Sequence, residues 1–152
     1  MNTQIYYHGT KEKNIKSIIE SRKLCQKTKE YSQSEEGFVY ICSEQDFAQT
    51  IAYAIDYQAY SYTFIRFEIV VDSELGRNLQ KEVKTSDFGT LISLKYKGDI
   101  DFSSEYIQNP KYITLKKGSK EYLDFNNFIV TSYPPEYDKA KDFLDNLTWH
   151  SI

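Results

Sequence analysis

Residues 6–10, YYHGT, place a lone histidine and a glycine at the end of an apolar stretch. Because glycine has no Cβ, a ligand can approach the backbone of Gly9 closely, and the N–H and C=O of Gly9 can bind a planar carboxamide. The imidazole of His8 can donate or accept a hydrogen bond toward a ribose hydroxyl. A histidine at the end of a strand also commonly has a structural role, so both interpretations stand for this stretch alone.

Two tyrosines in the stretch GFVYICSEQDFAQTIAYA offer flat surfaces to a ring-shaped ligand. Tyr40 lies in a predicted strand, and the face of its ring favours stacking on a cationic ring such as nicotinamide. Tyr53 lies on the helix that follows, where it can form a second wall or pack on the sheet instead. The chain has 14 tyrosines, so a position in the core is an equally direct interpretation of either ring.

Glu105, in SSEYIQNPKYITL, stands at the entry of another predicted strand. An exposed carboxylate is the usual state of a glutamate. A fixed carboxylate near a ribose can also stabilise the positive charge that develops when a bond to the anomeric carbon breaks, as in glycoside cleavage. It can further orient the ribose hydroxyls or activate an incoming nucleophile.

The elements that position these residues follow from hydrophobic periodicity. QIYYHG is predicted to be a strand, and the apolar residues after it recur at helical spacing through Ile18 and end at Leu24. Residues 25–36 are polar and predict a surface loop. GFVYIC is predicted to be a strand and SEQDFAQTIAYAIDY a helix, with Ser43 and Asp46 resembling a capping box.

The remaining chain predicts mostly strands before a last helix. The predicted strands are YSYTFIRFEIVVD, TLISLKYKG, EYIQNPKYITLKKG and YLDFNNFIVTSY, and PEYDKAKDFLDNLTW is the predicted helix. This order favours an α+β fold with a mainly antiparallel sheet, in a single domain spanning residues 1–152. The sequence contains no GxGxxG turn and no P-loop, so a bound nucleotide would need another kind of site.

Composition limits the classes of function. The net charge is −3 and the pI near 5.5, which gives no overall attraction to phosphates. Lysines and one arginine between residues 11 and 29 form either a solvated helix face or a local basic lip. Two cysteines and two histidines make a disulfide scaffold or a zinc site built by this chain unexpected. Without a signal-like segment or a membrane span in the sequence, we expect a cytoplasmic protein, or one exported by a route that leaves no cleaved signal.

The three stretches together resemble the ADP-ribosyltransferase superfamily, and within it the His-Tyr-Glu branch of diphtheria-type toxins and poly(ADP-ribose) polymerases. YHGT with NIKSIIESRKL is similar to the first strand and helix of that branch. GFVYICSEQDFAQTIAYA is similar to its tyrosine-bearing second motif, and SEYIQNPKYITL to its glutamate motif. The resemblance covers roughly residues 4–57 and 102–115, and it implies the split, mainly antiparallel sheet of that superfamily.

The resemblance implies a role for each residue in binding NAD as the ADP-ribose donor, without a metal. His8 is expected to bind the ribose on the adenosine side, and Gly9 to hold the nicotinamide amide through its backbone. Thr10 lies beside them with no assigned role. Tyr40 is expected to stack on the nicotinamide, with Tyr53 on its other side.

Glu105 is the catalytic carboxylate that the resemblance implies, and the activity it implies is mono-ADP-ribosyl transfer to a macromolecular acceptor. The chain could then be a toxin, a phage effector or a defence protein. Arginine-modifying relatives carry Glu or Gln two positions before that glutamate, where this chain has Ser103, so the acceptor does not follow from the motif. Arg66, in a later strand, is interpreted as a structural or a surface residue.

Two alternatives remain at this stage. RNA 2′-phosphotransferases also begin with a His-Gly-Thr stretch, but that family typically has histidine in its second motif and no glutamate in its third, unlike Tyr40 and Glu105. The chain could instead be a non-catalytic module that binds NAD or a related nucleotide. Binding without release of nicotinamide would favour that module.

Overall fold

The computed structural model describes residues 2–26, 36–86 and 89–152. The helices are α1 (Ile15–Ser21), α2 (Phe47–Ala54), α3 (Glu74–Arg77), α4 (Lys120–Asn126) and α5 (Tyr137–Asp145). The strands are β1 (Thr3–Thr10), β2 (Lys23–Leu24), β3 (Phe38–Ser43), β4 (Ile55–Asp56), β5 (Ser61–Val70), β6 (Gln80–Ser86), β7 (Gly89–Lys97), β8 (Ile100–Asp101), β9 (Ile107–Lys116) and β10 (His150–Ser151). Most of the predicted loop at 25–36 lies outside the described residues.

A single large sheet organises the chain. Its strand order is β10-β9-β5-β1-β3-β7-β6, with β4 added on β5, and β2 and β8 form a separate pair. Every strand pair in the described parts of the chain is antiparallel. The mixed α+β prediction with a mainly antiparallel sheet is therefore confirmed.

Alternation along the strands creates a core on each face of the sheet. Tyr6 and Phe67 lie on the face packed by Ile18 of α1. Tyr7 and Phe64 lie on the opposite face, where helices α2, α4 and α5 pack. The two adjacent tyrosines of YYHGT thus belong to different cores, which fixes the register of β1.

Only a short stretch of pairing joins β1 to β3. β1 pairs with β5 along its whole length, from Thr3 opposite Val70 to Thr10 opposite Thr63. Its ladder with β3 comprises only Tyr6 opposite Ser43 and Tyr7 opposite Cys42. Beyond that point β3 continues alongside β7 instead. The two strands thus diverge where the His-Gly-Thr stretch begins.

The prediction of a strand at residues 122–133 is wrong. This segment is helical, in α4 and in a wider helical turn at Asn127–Thr131. Ser119 begins the helix because its hydroxyl accepts a hydrogen bond from the backbone N–H of Tyr122 at 3.1 Å. Phe125, three residues further, is completely buried against the sheet, so tertiary packing outweighs the strand preference of the aromatic and β-branched residues.

Smaller differences concern the ends of elements. Leu24 lies in β2 rather than on the preceding helix, because α1 ends at Arg22 in a left-handed conformation with φ of 56°. The predicted helix at 43–57 is shorter and is followed directly by β4. Ser43 donates to the side chain of Asp46 at 3.2 Å, and it forms no hydrogen bond to the helix backbone, so the predicted capping box is absent.

Candidate functional site

His8 and Tyr40 meet where β1 and β3 diverge. Nδ1 of His8 lies 2.7 Å from the backbone carbonyl oxygen of Tyr40. A carbonyl oxygen can only accept a hydrogen bond, so Nδ1 carries the proton and Nε2 of the neutral ring is an acceptor. The half-buried imidazole is thereby held in one tautomer and one orientation between two strands of the sheet.

Gly9 is required by packing against helix α2. A Cβ at this position would lie 2.4 Å from the carbonyl oxygen of Thr50, 2.7 Å from the amide nitrogen of Ala54 and 3.0 Å from the carbonyl carbon of Tyr53. The glycine thus lets the helix carrying Tyr53 rest directly on β1. This close contact between strand and helix is a structural reason for the glycine that the sequence analysis did not foresee.

Thr10 is buried and connects β1 to the next helical segment. Its hydroxyl accepts a hydrogen bond from the side-chain amide of Asn14 at 3.2 Å. Asn14 directly precedes α1, so the contact fixes the start of that helix relative to the end of β1. The structure therefore gives Thr10 a positioning role beside His8 and Gly9.

Tyr40 and Tyr53 lie close together on the face of the sheet that α2 covers. Burial is the main cause that raises the pKa of Tyr53, and the neighbouring Cys42, Tyr40 and Glu82 raise it further. Tyr40 and Cys42 alternate along β3 with Val39 and Ile41 of the other core, so both lie on the face that α2 covers. Gly9, Tyr40 and Tyr53 lie together on this face, whereas the side chain of His8, opposite Ile65 on β5, lies on the other face with Tyr6 and contacts the backbone of Tyr40.

Glu82 is a carboxylate in this group that the sequence analysis missed. It lies opposite Ser93 on β7, while Tyr40 lies opposite Lys95 two positions further, so Glu82 and Tyr40 share one face. The side chain of Glu82 is 15% exposed, and its carboxylate lies 3.7 Å from the amines of Lys84 and Lys95. No motif marks Glu82 in the sequence, because its position depends on the pairing of β6 with β7.

Glu105 lies elsewhere. It is exposed in the turn before β9, and among the described residues no hydrogen bond or ion pair reaches its carboxylate. His8 lies opposite Ile65 of β5, whereas Ile107 lies opposite Ile69, a separation along β5 of about 13 Å at a rise of ~3.3 Å per residue. The structure does not bring Glu105 to His8 and Tyr40, because β9, the strand after Glu105, pairs with β5 and not with β3.

Arg66 has the structural role that the sequence analysis predicted. Its guanidinium pairs with Asp145 of α5 at 2.9 Å and lies 4.3 Å from the centre of the Trp149 ring. The hydroxyl of Tyr7 donates to the same carboxylate at 2.8 Å, and Lys141 pairs with it at 2.9 Å. This network attaches α5 and the chain after it to the sheet.

Cys42 is expected to resist alkylation. Burial raises its pKa to about 11, and the residue is 3% exposed, so almost no thiolate forms or meets reagent near pH 8. Cys25 is exposed. Brief treatment of the native protein with iodoacetamide at pH 8 should modify one cysteine, identified as Cys25 by peptide mass mapping, and denatured protein should show both modified. Early labelling of Cys42 in native protein would contradict the packing of α2 on β3.

Metal-binding clusters and membrane-spanning helices are both absent from the described residues. Within residues 2–26, 36–86 and 89–152, no three side chains of the His, Cys, Asp and Glu types are grouped so as to hold a metal ion. None of the helices in these ranges has both the length and the apolar character needed to cross a membrane.

Comparison with known proteins gives a partial similarity. No protein-family model matches the chain, and no solved structure matches it. The chain is 26% identical over 89 residues to a CCA-adding enzyme of Nanoarchaeum equitans (strain Kin4-M). The aligned region spans 57% of this chain and 22% of that enzyme. A similarity of this extent does not show which family the chain belongs to.

Proposed function

We propose that the protein is an NAD-dependent mono-ADP-ribosyltransferase whose site lies between β1 and β3. The observation that carries this proposal is the contact of His8 with the strand of Tyr40 at the point where the two strands diverge. NAD has an aromatic ring with a carboxamide and a ribose next to it. Binding it requires aromatic side chains that stack on the ring and polar groups that bind the carboxamide and the ribose hydroxyls. The divergence of the strands also supports the superfamily's split of the sheet.

Each residue of the group has a role in binding. The rings of Tyr40 and Tyr53 stack on the nicotinamide, and the backbone of Gly9 binds its carboxamide. Nε2 of His8 accepts a hydrogen bond from a ribose hydroxyl, since Nδ1 is committed to the carbonyl of Tyr40. These contacts fix the sugar relative to the leaving group before the reaction starts.

The chemistry breaks the bond between the nicotinamide nitrogen and C1′ of the ribose. Nicotinamide leaves with the electron pair of that bond and becomes neutral, and C1′ acquires oxocarbenium character. We propose that Glu82, on the same face of the sheet as Tyr40, stabilises this charge in place of Glu105. A nucleophile of the acceptor then attacks C1′ and loses its proton.

The stacking role is tested with Tyr40→Leu and Tyr53→Leu. Both changes keep an apolar side chain but remove the ring, so we expect the KM for NAD in nicotinamide release to rise up to about tenfold in each. Tyr137→Leu is the matched control, because Tyr137 is 42% exposed at the start of α5. A KM unchanged in both site variants would overturn the assignment of these rings.

The activity itself is tested with NAD labelled in its adenosine part. The protein is incubated with the label and a cell lysate, and both free nicotinamide and labelled macromolecules are measured. Release of nicotinamide together with labelled acceptor supports transfer. NAD that binds without any release of nicotinamide would instead show a non-catalytic binding module.

A further inference from the structure

Two tyrosines stand out from the surface in the turn between β4 and β5. Tyr57 is 76% exposed and Tyr60 is 53% exposed. Tyr60 also has a φ of 52°, a left-handed conformation that is unfavourable for a bulky residue and that glycine would adopt without strain. A strained residue that presents a large ring to solvent suggests that the ring itself serves a purpose.

The turn that carries these rings is rigid. The buried carboxylate of Asp56 accepts hydrogen bonds from the backbone N–H groups of Gln58 at 3.0 Å and Ala59 at 3.1 Å. The carbonyl of Tyr60 accepts a hydrogen bond from the backbone N–H of Lys117 at 3.0 Å. Both rings are therefore held on a fixed backbone, and little conformational entropy is lost when a ligand stacks on them.

One lysine contacts the Tyr60 ring, and two more lie near that lysine in the chain. The amine of Lys117 lies 4.3 Å from the centre of the Tyr60 ring. Lys116 is 71% exposed and forms an ion pair with Glu12 at 3.1 Å, and Lys120 begins α4 close by in the chain. We call Tyr57, Tyr60, Lys116, Lys117 and Lys120 the turn patch. Its combination of exposed aromatic faces and amines differs from the overall acidic character of the chain.

The turn patch lies at the end of the sheet where the proposed NAD site begins. Ser61, at the start of β5, lies opposite Lys116, and Thr63 lies opposite Thr10. The patch is therefore only about 7 Å beyond the end of β1 along the strand direction. In the chain, only Ala54 and the short strand β4 separate Tyr53 from Tyr57. A ligand on the patch can thus extend toward His8.

We infer that the turn patch binds a single strand of nucleic acid, and that this strand is the acceptor of the ADP-ribose. Stacking on exposed aromatic rings combined with lysine contacts to phosphates is how proteins bind single strands without sequence preference. A folded protein acceptor would be expected to need a larger apolar surface than two separate rings. The acceptor part of this inference rests on the proposed transferase activity.

Binding is measured by fluorescence anisotropy with fluorescein-labelled 12-nucleotide single strands of mixed sequence, one of DNA and one of RNA. We expect Tyr57→Ser and Tyr60→Gly each to weaken binding about tenfold, as loss of one stacked base would. Tyr60→Gly removes the ring at a backbone conformation that suits glycine, so its melting temperature should not fall. Contacts from three lysines predict about 20-fold weaker binding on going from 50 to 200 mM salt.

Tyr137→Ser is the matched control, because it removes an exposed tyrosine at the start of α5, outside the turn patch. This variant should bind the oligonucleotides as tightly as the wild type does. Nicotinamide release should be unchanged in both patch variants. The inference is overturned if neither strand binds, if the control and patch variants bind equally, or if label from NAD reaches protein and never an oligonucleotide. A different outcome would refute the proposed activity and leave the binding inference standing. In that outcome the wild type releases no nicotinamide, but it still binds the oligonucleotides more tightly than Tyr57→Ser and Tyr60→Gly do.

Discussion

Glu82→Gln is expected to lower the rate of nicotinamide release from NAD by about 100-fold or more. Glutamine keeps the shape of the side chain but removes the negative charge, and loss of one preorganised electrostatic contact in a half-enclosed site typically costs a factor of 10²–10³ in rate. The carboxylate lies on the same face as Tyr40 and affects the pKa of Tyr53, so its charge acts where the nicotinamide would stack. Release of nicotinamide is measured by chromatography at saturating NAD.

Glu105→Gln is the decisive comparison for that prediction. We expect it to retain activity within about threefold of the wild type, because Glu105 is exposed and precedes Ile107, whose partner Ile69 lies about 13 Å along β5 from the partner of His8. Circular dichroism should show that both variants are folded, since Glu82→Gln leaves Lys95 without one of its ionic contacts. If Glu105→Gln abolishes the release of nicotinamide and Glu82→Gln does not, the catalytic carboxylate is Glu105, as the sequence motif implies, and our assignment of Glu82 is wrong.

Gly9→Ala is expected to destabilise the protein by about 3 kcal/mol or more. The added methyl group would lie 2.4 Å from the carbonyl oxygen of Thr50 and 2.7 Å from the amide nitrogen of Ala54, both of them backbone atoms that cannot rotate away. Overpacking commonly costs 1–3 kcal/mol, and more when the backbone must move. For a chain of this size the melting temperature should fall by roughly 6–12 °C, as measured by thermal denaturation.

Gly118→Ala provides the control for Gly9→Ala. Gly118 has a φ of 93°, and no atom lies within 4 Å of where its Cβ would be, so only backbone strain of about 1 kcal/mol is added. If Gly9→Ala were as stable as the wild type and lost only NAD binding, the glycine would serve ligand approach alone. A large fall in stability shows that the contact of α2 with β1 requires it.

The sequence pattern predicted the strands that carry His8 and Tyr40, because both are rich in apolar and aromatic residues, with β1 buried on both faces at Tyr6 and Tyr7. It failed at residues 122–133, where strand-forming residues are helical because Ser119 caps the helix and Phe125 is buried. The position of Glu82, the acid that we propose, could not be predicted in the same way. Which strand pairs with which is a property of the whole chain, and the pairing of β6 and β3 with β7 places Glu82 on the same face of the sheet as Tyr40.

The short ladder between β1 and β3 divides the sheet into two halves that meet along a hinge line. One half contains β10, β9, β5 and β1, and the other contains β3, β7 and β6. Each half is hydrogen-bonded along long ladders, whereas only two residue pairs join them directly. Opening at that line breaks few hydrogen bonds, each with a net contribution of about 1 kcal/mol. The two halves are therefore held together mainly by the apolar core that spans the junction, which contains Tyr6 of β1 and Val39 and Ile41 of β3.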